Sequence, residues 1–311
     1  MCGIAGVIYR NHGGQNALGH DITLMLQSMK HRGPDSTGYA LYGPPQQRFV
    51  MRYKLADAND PRDFDFERRL EHNKRAVELR LRALGARNLE TEAETGYAHR
   101  VSFDYEGDLK QIADVVEDVP RAEVLSIGHS LEIVKDLGDA EEVSHQYRLD
   151  GFVGTHGIGH VRMATESDVD ISGAHPYWAY PFGDVAVVHN GQLTNYFHWK
   201  HRLERMGHRF QSECDSEIIA VYLAEKMAGG ADLEEAMHDS LDDLDGVFTY
   251  LCVTEDALGV AKDEMAAKPL VLYEGDDLVA LASEEIAIRA IVDREIETYD
   301  PYERQVLVWK R

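Results

Sequence analysis

The stretch CGIAGVIYR at residues 2–10 places a cysteine directly after the first methionine of the chain. β-Branched and apolar residues fill this segment, which is typical of a β-strand, and its glycines allow backbones to approach closely. Removal of Met1 would leave Cys2 with both a thiol and a free α-amine. The thiolate is the attacking form of cysteine, and an α-amine with a pKa of about 7.7–8.0 can move a proton near neutral pH. Cys2 is therefore a candidate nucleophile, and a small buried residue at a strand end is the alternative.

Charge and composition restrict the partners that we expect for this chain. Its 311 residues include 32 basic and 55 acidic side chains, which gives a formal net charge of −23. Nucleic acids and anionic membrane surfaces both require basic patches, so the composition argues against them. No apolar run approaches the roughly 20 residues of a membrane helix, and the N-terminus has no signal-peptide pattern. These features predict a cytoplasmic protein.

The cysteines and histidines do not form a recognisable metal motif. Three cysteines, Cys2, Cys214 and Cys252, are too few for a four-cysteine site and do not suggest a disulfide framework. His156 and His160 have a spacing found in zinc sites, but no cysteine pair lies nearby in the sequence. We therefore expect neither a metal site nor a cofactor.

The order of strand-like and helix-like segments predicts the fold class. Many strands follow one another with short connections and only a few helices, which favours an α+β fold over a parallel βαβ fold. From about residue 62 to about residue 150 the chain becomes rich in charge and has its own strand and helix pattern. We interpret this segment as a small α+β insertion, used for packing or partner contact, within a domain spanning residues 1–311.

Three further stretches carry side chains suited to binding and catalysis. GHVRMATES (159–167) ends a strand with Arg162, whose guanidinium could bind a carboxylate through two hydrogen bonds. VVHNGQLTN (187–195) sets Asn190 and Gly191 after an apolar strand, where an amide and a backbone N–H could stabilise an oxyanion. A hairpin turn is the alternative for this Asn-Gly pair. ECDSE (213–217) places Asp215 at a helix start, where N-capping alone would explain it.

Taken together and in this order, the motifs resemble the glutaminase domain of class II glutamine amidotransferases, which are N-terminal nucleophile hydrolases. The matching stretches are CGIAG, HRGPDSTG, GHVRMAT, HP at 175–176, VVHNGQLTN, DSE, DGVFTYLCV and KPLVLY followed by LASE. They cover nearly the whole chain outside the insertion. The resemblance implies a four-layer αββα sandwich of two antiparallel sheets. The particular residues within these motifs, together with the long insertion, look most like the separate amidotransferase subunits of glutamate synthase-like complexes. These include the GlxB-like or N-methylglutamate synthase type.

The resemblance also implies a role for each matched residue in the chemical step. Cys2 would be the nucleophile, with its own α-amine as the base. Asn190 and Gly191 would form the oxyanion hole. Arg32 and its neighbours in HRGPD would belong to a loop that covers glutamine, and His175 would be structural.

Three other positions would hold the substrate. Arg162, helped by Thr165, would bind the α-carboxylate of L-glutamine, and Asp215 would pair with its α-ammonium. Glu166 departs from the pattern, because some relatives have a histidine there, and this change could alter the pocket or its closure.

The implied reaction is hydrolysis of the side-chain amide of L-glutamine to glutamate and ammonia. Because the chain stops soon after the last family motif, we expect the synthase on separate subunits. These would resemble the flavin/iron–sulfur domain and the glycine-rich domain of glutamate synthase. One alternative is a glutamine-binding regulatory or scaffold subunit without turnover. Another is an N-terminal nucleophile amidase that acts on a different amide.

Overall fold

A computed structural model of the protein describes residues 2–10, 16–57, 60, 62–163, 173–179 and 184–311. The strands of the described residues, in chain order, are β1 (Gly3–Tyr9), β2 (Ser36–Tyr42), β3 (Phe49–Lys54), β4 (Arg87–Ala93), β5 (Ala98–Asp104), β6 (Glu123–Gly128), β7 (Leu131–Leu137), β8 (His156–Arg162), β9 (Tyr177–Trp178), β10 (Ala186–Leu193), β11 (Gly246–Val253), β12 (Ala257–Lys262), β13 (Val271–Glu274), β14 (Leu278–Ala282) and β15 (Val306–Lys310). The helices are α1 (Leu18–Ser28), α2 (Phe66–Ala83), α3 (Leu109–Glu117), α4 (Ala140–Tyr147), α5 (Tyr196–Arg205), α6 (Asp215–Ala228), α7 (Leu233–Asp243) and α8 (Glu285–Arg289).

Two antiparallel sheets form the centre of the molecule. The first has six strands in the order β13-β14-β1-β8-β2-β7, and the second has five in the order β15-β12-β11-β10-β9. Strands β1 and β8 of the first sheet contact β10, β11 and β12 of the second, so the sheets pack face to face. Every residue of β1 is buried, because this strand has a sheet on one side and a helix on the other.

Helices cover the outer faces of both sheets. Helix α1 packs on the first sheet through a stripe at helical spacing that includes Leu18, Ile22 and Met25, and α4 and α8 lie on the same face. Helices α6 and α7 cover the second sheet, and a capping box formed by Asp232 and Glu235 begins α7. The result is the predicted α+β architecture with four layers, αββα. Among the helices that the structure describes, none combines the length and apolar character needed to span a bilayer.

A third antiparallel sheet, in the order β4-β5-β3-β6, takes β4, β5 and β6 from the part of the chain predicted as an insertion and β3 from the segment before it. Its strands run from Phe49 to Gly128, and α2 and α3 pack beside it. This range differs from the predicted 62–150 at both ends. Charge density identified α2 but not the apolar strand β3 before it, while β7 and α4 belong to the six-stranded sheet and its helical layer. The treatment of this segment as an insertion stays a prediction.

Buried ion pairs tie the third sheet to the six-stranded sheet. The carboxylate of Glu132 on β7 accepts hydrogen bonds from Arg52 on β3 at 2.7 Å and from Arg100 on β5 at 2.9 and 3.0 Å. Burial alone would raise the pKa of Glu132, but the two guanidiniums outweigh it and lower the pKa to about 2. The carboxylate therefore stays charged and paired at neutral pH.

Candidate active site

Strand β1 fixes the position of Cys2, which immediately precedes it. The backbone carbonyl of Cys2 accepts a hydrogen bond from Arg32 Nε at 3.0 Å and another from Asn190 Nδ2 at 3.2 Å. Arg32 Nη1 in turn donates to Glu284 at 2.6 Å. Ser283 Oγ accepts from the Ile4 backbone N–H at 3.0 Å, which anchors the start of β1. Contacts from two distant parts of the chain thus hold the Cys2 carbonyl, and a third part anchors β1 directly after it. The predicted covering role of the Arg32 loop stays a prediction.

Asn190 and Gly191 lie inside β10, opposite Thr249 and Phe248 of β11. The alternative that this Asn-Gly pair forms a hairpin turn is therefore wrong. Asn190 Nδ2 reaches both the Cys2 carbonyl and, at 3.3 Å, Ser283 Oγ. Gly191 has φ of +140°, and a Cβ built on it would lie 2.1 Å from the Val247 carbonyl oxygen. Only glycine fits this backbone, because it combines a positive φ with close contact to the neighbouring strand.

Arg162 ends β8, where it pairs with Ser36 of β2. Two glycines approach it closely. A Cβ built on Gly33 would lie 2.4 Å from the Arg162 carbonyl carbon, and one built on Gly173 would lie 2.8 Å from Arg162 Nη2. The backbone N–H of Asp35 donates to the Arg162 carbonyl at 3.1 Å. The HRGPD motif therefore packs directly against the end of β8. The predicted partner Thr165, and Glu166 after it, lie outside the described residues.

Asp215 is the first residue of α6, but its side chain does not cap that helix. Asp215 Oδ2 accepts the backbone N–H of Leu193 at 2.8 Å, and Oδ1 lies 3.6 Å from His189 Nδ1. The residue at the N-cap is Cys214, with no side-chain capping bond. Capping therefore does not explain Asp215. Burial would raise the pKa of its carboxyl, but the adjacent His189 imidazole and the hydrogen bond from the Leu193 N–H outweigh burial and lower the pKa.

A buried histidine cluster lies beside Asp215, and no spacing in the sequence marks its members as a unit. His160, His175 and His189 come from separate parts of the chain, and the rings of His160 and His175 are 4.2 Å apart. Ser216 Oγ joins His175 Nε2 at 2.9 Å to His189 Nδ1 at 2.8 Å. Burial lowers the pKa of His160 to about 3 and that of His175 well below its ordinary value, so both rings are neutral at physiological pH.

Five of the six predicted site residues line one cleft with a volume of about 760 Å³: Cys2, Arg162, Asn190, Gly191 and Asp215. This volume is within the usual range of small-molecule sites. The cleft presents a thiol, a guanidinium, a carboxylate and an amide, which is a suitable set for an amino-acid zwitterion carrying a reactive amide. Within the described ranges, no group of three or more His, Cys, Asp or Glu side chains could hold a metal ion. The catalytic and binding roles of these residues stay predictions.

Comparison with known proteins identifies the family. A family described as the glutamine amidotransferase domain matches residues 160–290. A protein of Methanothermobacter thermautotrophicus, whose name describes a glutamine amidotransferase, is 38% identical over 98% of this chain and 99% of its own length. The glutamine amidotransferase-like protein GlxB of Rhizobium meliloti is 34% identical over 99% of this chain and 98% of its own length. The chain belongs to the class II glutamine amidotransferases.

Solved structures support the same fold for this amidotransferase. The glutamine phosphoribosylpyrophosphate amidotransferase of B. subtilis, solved with ADP and GMP, superposes with a TM-score of 0.61 at 20% identity. The alignment covers 99% of this amidotransferase but 47% of that chain, so this protein spans about half the length of the solved enzyme. The predicted membership of the family and the predicted N-terminal nucleophile hydrolase fold are confirmed.

Proposed function

We propose that this amidotransferase is the glutaminase subunit of a larger synthase. In this proposal it hydrolyses the side-chain amide of L-glutamine, and the ammonia passes to a separate glutamate synthase-like partner. The observation that carries the proposal is the convergence of Cys2, Arg162, Asn190 and Asp215 on one cleft. A guanidinium and a carboxylate in the same cleft fit the two charges of an amino acid, and Cys2 supplies a nucleophile for its amide.

The chemical step begins at Cys2 after loss of Met1. The α-amine of Cys2 takes the thiol proton, and the thiolate attacks the amide carbon of glutamine to form a C–S bond. The tetrahedral oxyanion accepts hydrogen bonds from Asn190 Nδ2 and the Gly191 N–H. The C–N bond then breaks, the proton returns from the α-ammonium to the leaving nitrogen, and ammonia departs. Water attacks the thioester with the α-amine as base, which releases glutamate and restores the thiol.

Asn190 is suited to this role because its present hydrogen bonds are long. Its two contacts, to the Cys2 carbonyl and to Ser283 Oγ, measure 3.2 and 3.3 Å. Such bonds are weaker than those near 2.9 Å, so one N–H can turn to a developing oxyanion at small cost. Removing one donor of this kind lowers kcat by roughly 100- to 1,000-fold.

The first experiment measures the glutamate and ammonia released from L-glutamine. We expect turnover by the wild-type protein and none by Cys2→Ala. Cys252→Ala is the matched control, because Cys252 is buried and does not line the cleft, and it should keep turnover. Turnover that survives in Cys2→Ala would contradict the assigned nucleophile. Binding of glutamine without turnover, even with partner subunits present, would support the regulatory or scaffold alternative.

The second experiment tests the substrate class with Arg162→Leu and a panel of amides. If Arg162→Leu loses hydrolysis of glutamine but keeps hydrolysis of the other amides, the result supports recognition of the zwitterion through Arg162 and Asp215. Equal hydrolysis of amides that lack the amino-acid charges would favour the alternative of an amidase acting on another amide.

The third experiment tests ammonia transfer to the proposed flavin/iron–sulfur and glycine-rich partner subunits. The complex is purified from its native source and supplied with glutamine carrying ¹⁵N in the side-chain amide, in a medium containing unlabelled ammonium. We expect ¹⁵N in the aminated product without dilution. Dilution in proportion to the ammonium in the medium would contradict direct transfer, and absence of these partner subunits would contradict the subunit assignment.

A further inference from the structure

Ser216 lies at the centre of a hydrogen-bond network in the wall of the cleft. Its side chain is fully buried at the second position of α6. Ser216 Oγ lies 2.8 Å from His189 Nδ1, 2.9 Å from His175 Nε2 and 3.4 Å from Asp215 Oδ1. The thiol of Cys214 approaches the same oxygen at 3.5 Å. A buried serine that touches two histidines and the proposed ammonium ligand connects all of them through one hydroxyl.

The backbone determines where the protons of this network lie. The backbone N–H of His189 donates to His175 Nδ1 at 3.3 Å, so a neutral His175 carries its proton on Nε2 and donates it to Ser216 Oγ. His189 Nε2 is buried and has no hydrogen-bond partner among the described residues. With the His189 proton on Nδ1, the imidazole donates to Ser216 as well, and no N–H is buried without an acceptor.

In this arrangement the Ser216 hydroxyl donates its proton to Asp215 Oδ1. A serine hydroxyl has two acceptor positions and one donor, and the two imidazoles occupy both acceptor positions. The O–H then points to Asp215 Oδ1, while the Leu193 N–H holds Oδ2. Each carboxylate oxygen thus receives a hydrogen bond, and the Cys214 thiol also lies 3.8 Å from Oδ1. These contacts fix the plane of the carboxylate and leave further lone pairs for a cation.

We propose that Ser216 and His189 are positioning residues of the α-ammonium subsite, because the Ser216 hydroxyl, held by His175 and His189, orients the carboxylate of Asp215. This inference rests on the proposed function, in which Asp215 receives the ammonium of glutamine. His189 acts through its Nδ1 donor and not through its bulk, and this difference separates positioning from simple packing.

Two substitutions of one histidine separate these roles. His189→Asn keeps an amide donor near the position of Nδ1, whereas His189→Gln carries its amide toward the position of Nε2. A matched control is His156→Asn, because His156 is an equally buried histidine of β8 that contacts Thr155 and Thr254 away from the cleft. Ser216→Ala removes the hydroxyl that joins the two histidines to Asp215.

The readout is the dissociation constant of two ligands, L-glutamate and glutarate, measured by ligand-observed NMR on the otherwise unmodified protein. Glutarate lacks the ammonium group. We expect His189→Gln and Ser216→Ala to weaken L-glutamate binding by about tenfold and to leave glutarate unchanged, since a hydrogen bond to a charged group is lost. His189→Asn should restore L-glutamate binding to within about threefold of the wild type, and His156→Asn should match the wild type.

The possible results separate this inference from the proposed function. Equal loss for both ligands in His189→Gln, or equal behaviour of His189→Asn and His189→Gln, would overturn the positioning role. If Ser216→Ala does not fold, because two buried N–H groups lose their acceptor, the His189 pair alone decides. Failure of the wild-type protein to bind L-glutamate at all would overturn the proposed function, and this inference with it.

Discussion

Replacing Glu117 with glutamine is expected to remove a pH dependence of stability that the wild-type protein carries. Glu117 ends α3, and its side chain is 7% exposed. Its carboxylate accepts hydrogen bonds from Arg209, at 2.8 Å, and from Gln211. These two residues lead into the segment that lines the cleft. Glu117 thus joins the third sheet and its helices to the candidate active site.

The size of the effect follows from the pKa of Glu117. Burial, reinforced by the nearby carboxylates of Glu123 and Glu217, raises this pKa from 4.5 to about 7, although Arg209 and the Val124 N–H oppose the shift. Between these two values the unfolded chain binds fewer protons than the folded chain, so the free energy of unfolding falls as pH rises. A shift of about 2.5 units corresponds to about 3 kcal/mol, of which about 2.5 kcal/mol is lost between about pH 5 and about pH 8.

The assay is urea unfolding of the wild-type protein and Glu117→Gln across that pH range. We expect the wild type to lose about 2–3 kcal/mol relative to the variant as pH rises. Glu106→Gln is the control, because Glu106 lies in the same segment with a side chain that is 87% exposed. Its free energy of unfolding should change with pH in the same way as that of the wild type. A constant difference between wild type and Glu117→Gln at every pH would refute the reasoning.

Three further substitutions test the strand that carries the proposed oxyanion donors and the buried ion pairs. Gly191→Ala should lower the free energy of unfolding by more than about 2 kcal/mol in the same urea assay, since the added Cβ would meet the Val247 carbonyl at a positive φ; an unchanged midpoint would count against the described backbone. Asn190→Ala should lower kcat for glutamine hydrolysis by roughly 100-fold or more in the glutamate-release assay, and a change confined to KM would argue against an oxyanion role. Glu132→Gln should cost about 3 kcal/mol in urea unfolding, because the buried Arg52 and the partly buried Arg100 lose the carboxylate that they share, although Arg52 keeps Glu94; a loss below about 1 kcal/mol would mean that this network contributes little.

The sequence predicted the cleft residues because each follows a recognisable local pattern. Arg162 ends an apolar strand, Asn190 and Gly191 follow the apolar part of another, and Asp215 begins a helix. The packing of the two sheets and their helices brings these residues from distant parts of the chain to one cleft. The order of the motifs, more than any single motif, therefore identified both the family and the set of residues that line the cleft.

Sequence patterns do not predict the contacts that hold the cleft residues in place. Ser216 and His189 are 27 positions apart, and Arg32 meets the Cys2 carbonyl across 30 positions. No fixed spacing encodes such contacts, because they depend on how strands and helices from different sheets pack. The Asn-Gly pair also suggested a hairpin turn that is not present at this position. The positive φ of Gly191 instead allows β10 to contact β11 closely.

The third sheet and the segment predicted as an insertion differ in extent for a related reason. Charge density distinguishes the exposed helix α2 from the core. The strand β3, however, is buried like the strands of the central sandwich, and β7 resembles β6 next to it. Only strand pairing, which sequence composition does not specify, assigns each strand to its sheet.

Covalent labelling with a diazoketone analogue of L-glutamine tests the central claim most directly, because Cys2 and Cys214 both line the cleft. The labelled protein is digested, and peptide mass spectrometry locates the adduct and identifies the first residue of the mature chain. We expect a chain that begins at Cys2, one adduct on that residue, and protection by L-glutamate. An adduct on Cys214, or a mature chain that still begins with Met1, would contradict the account.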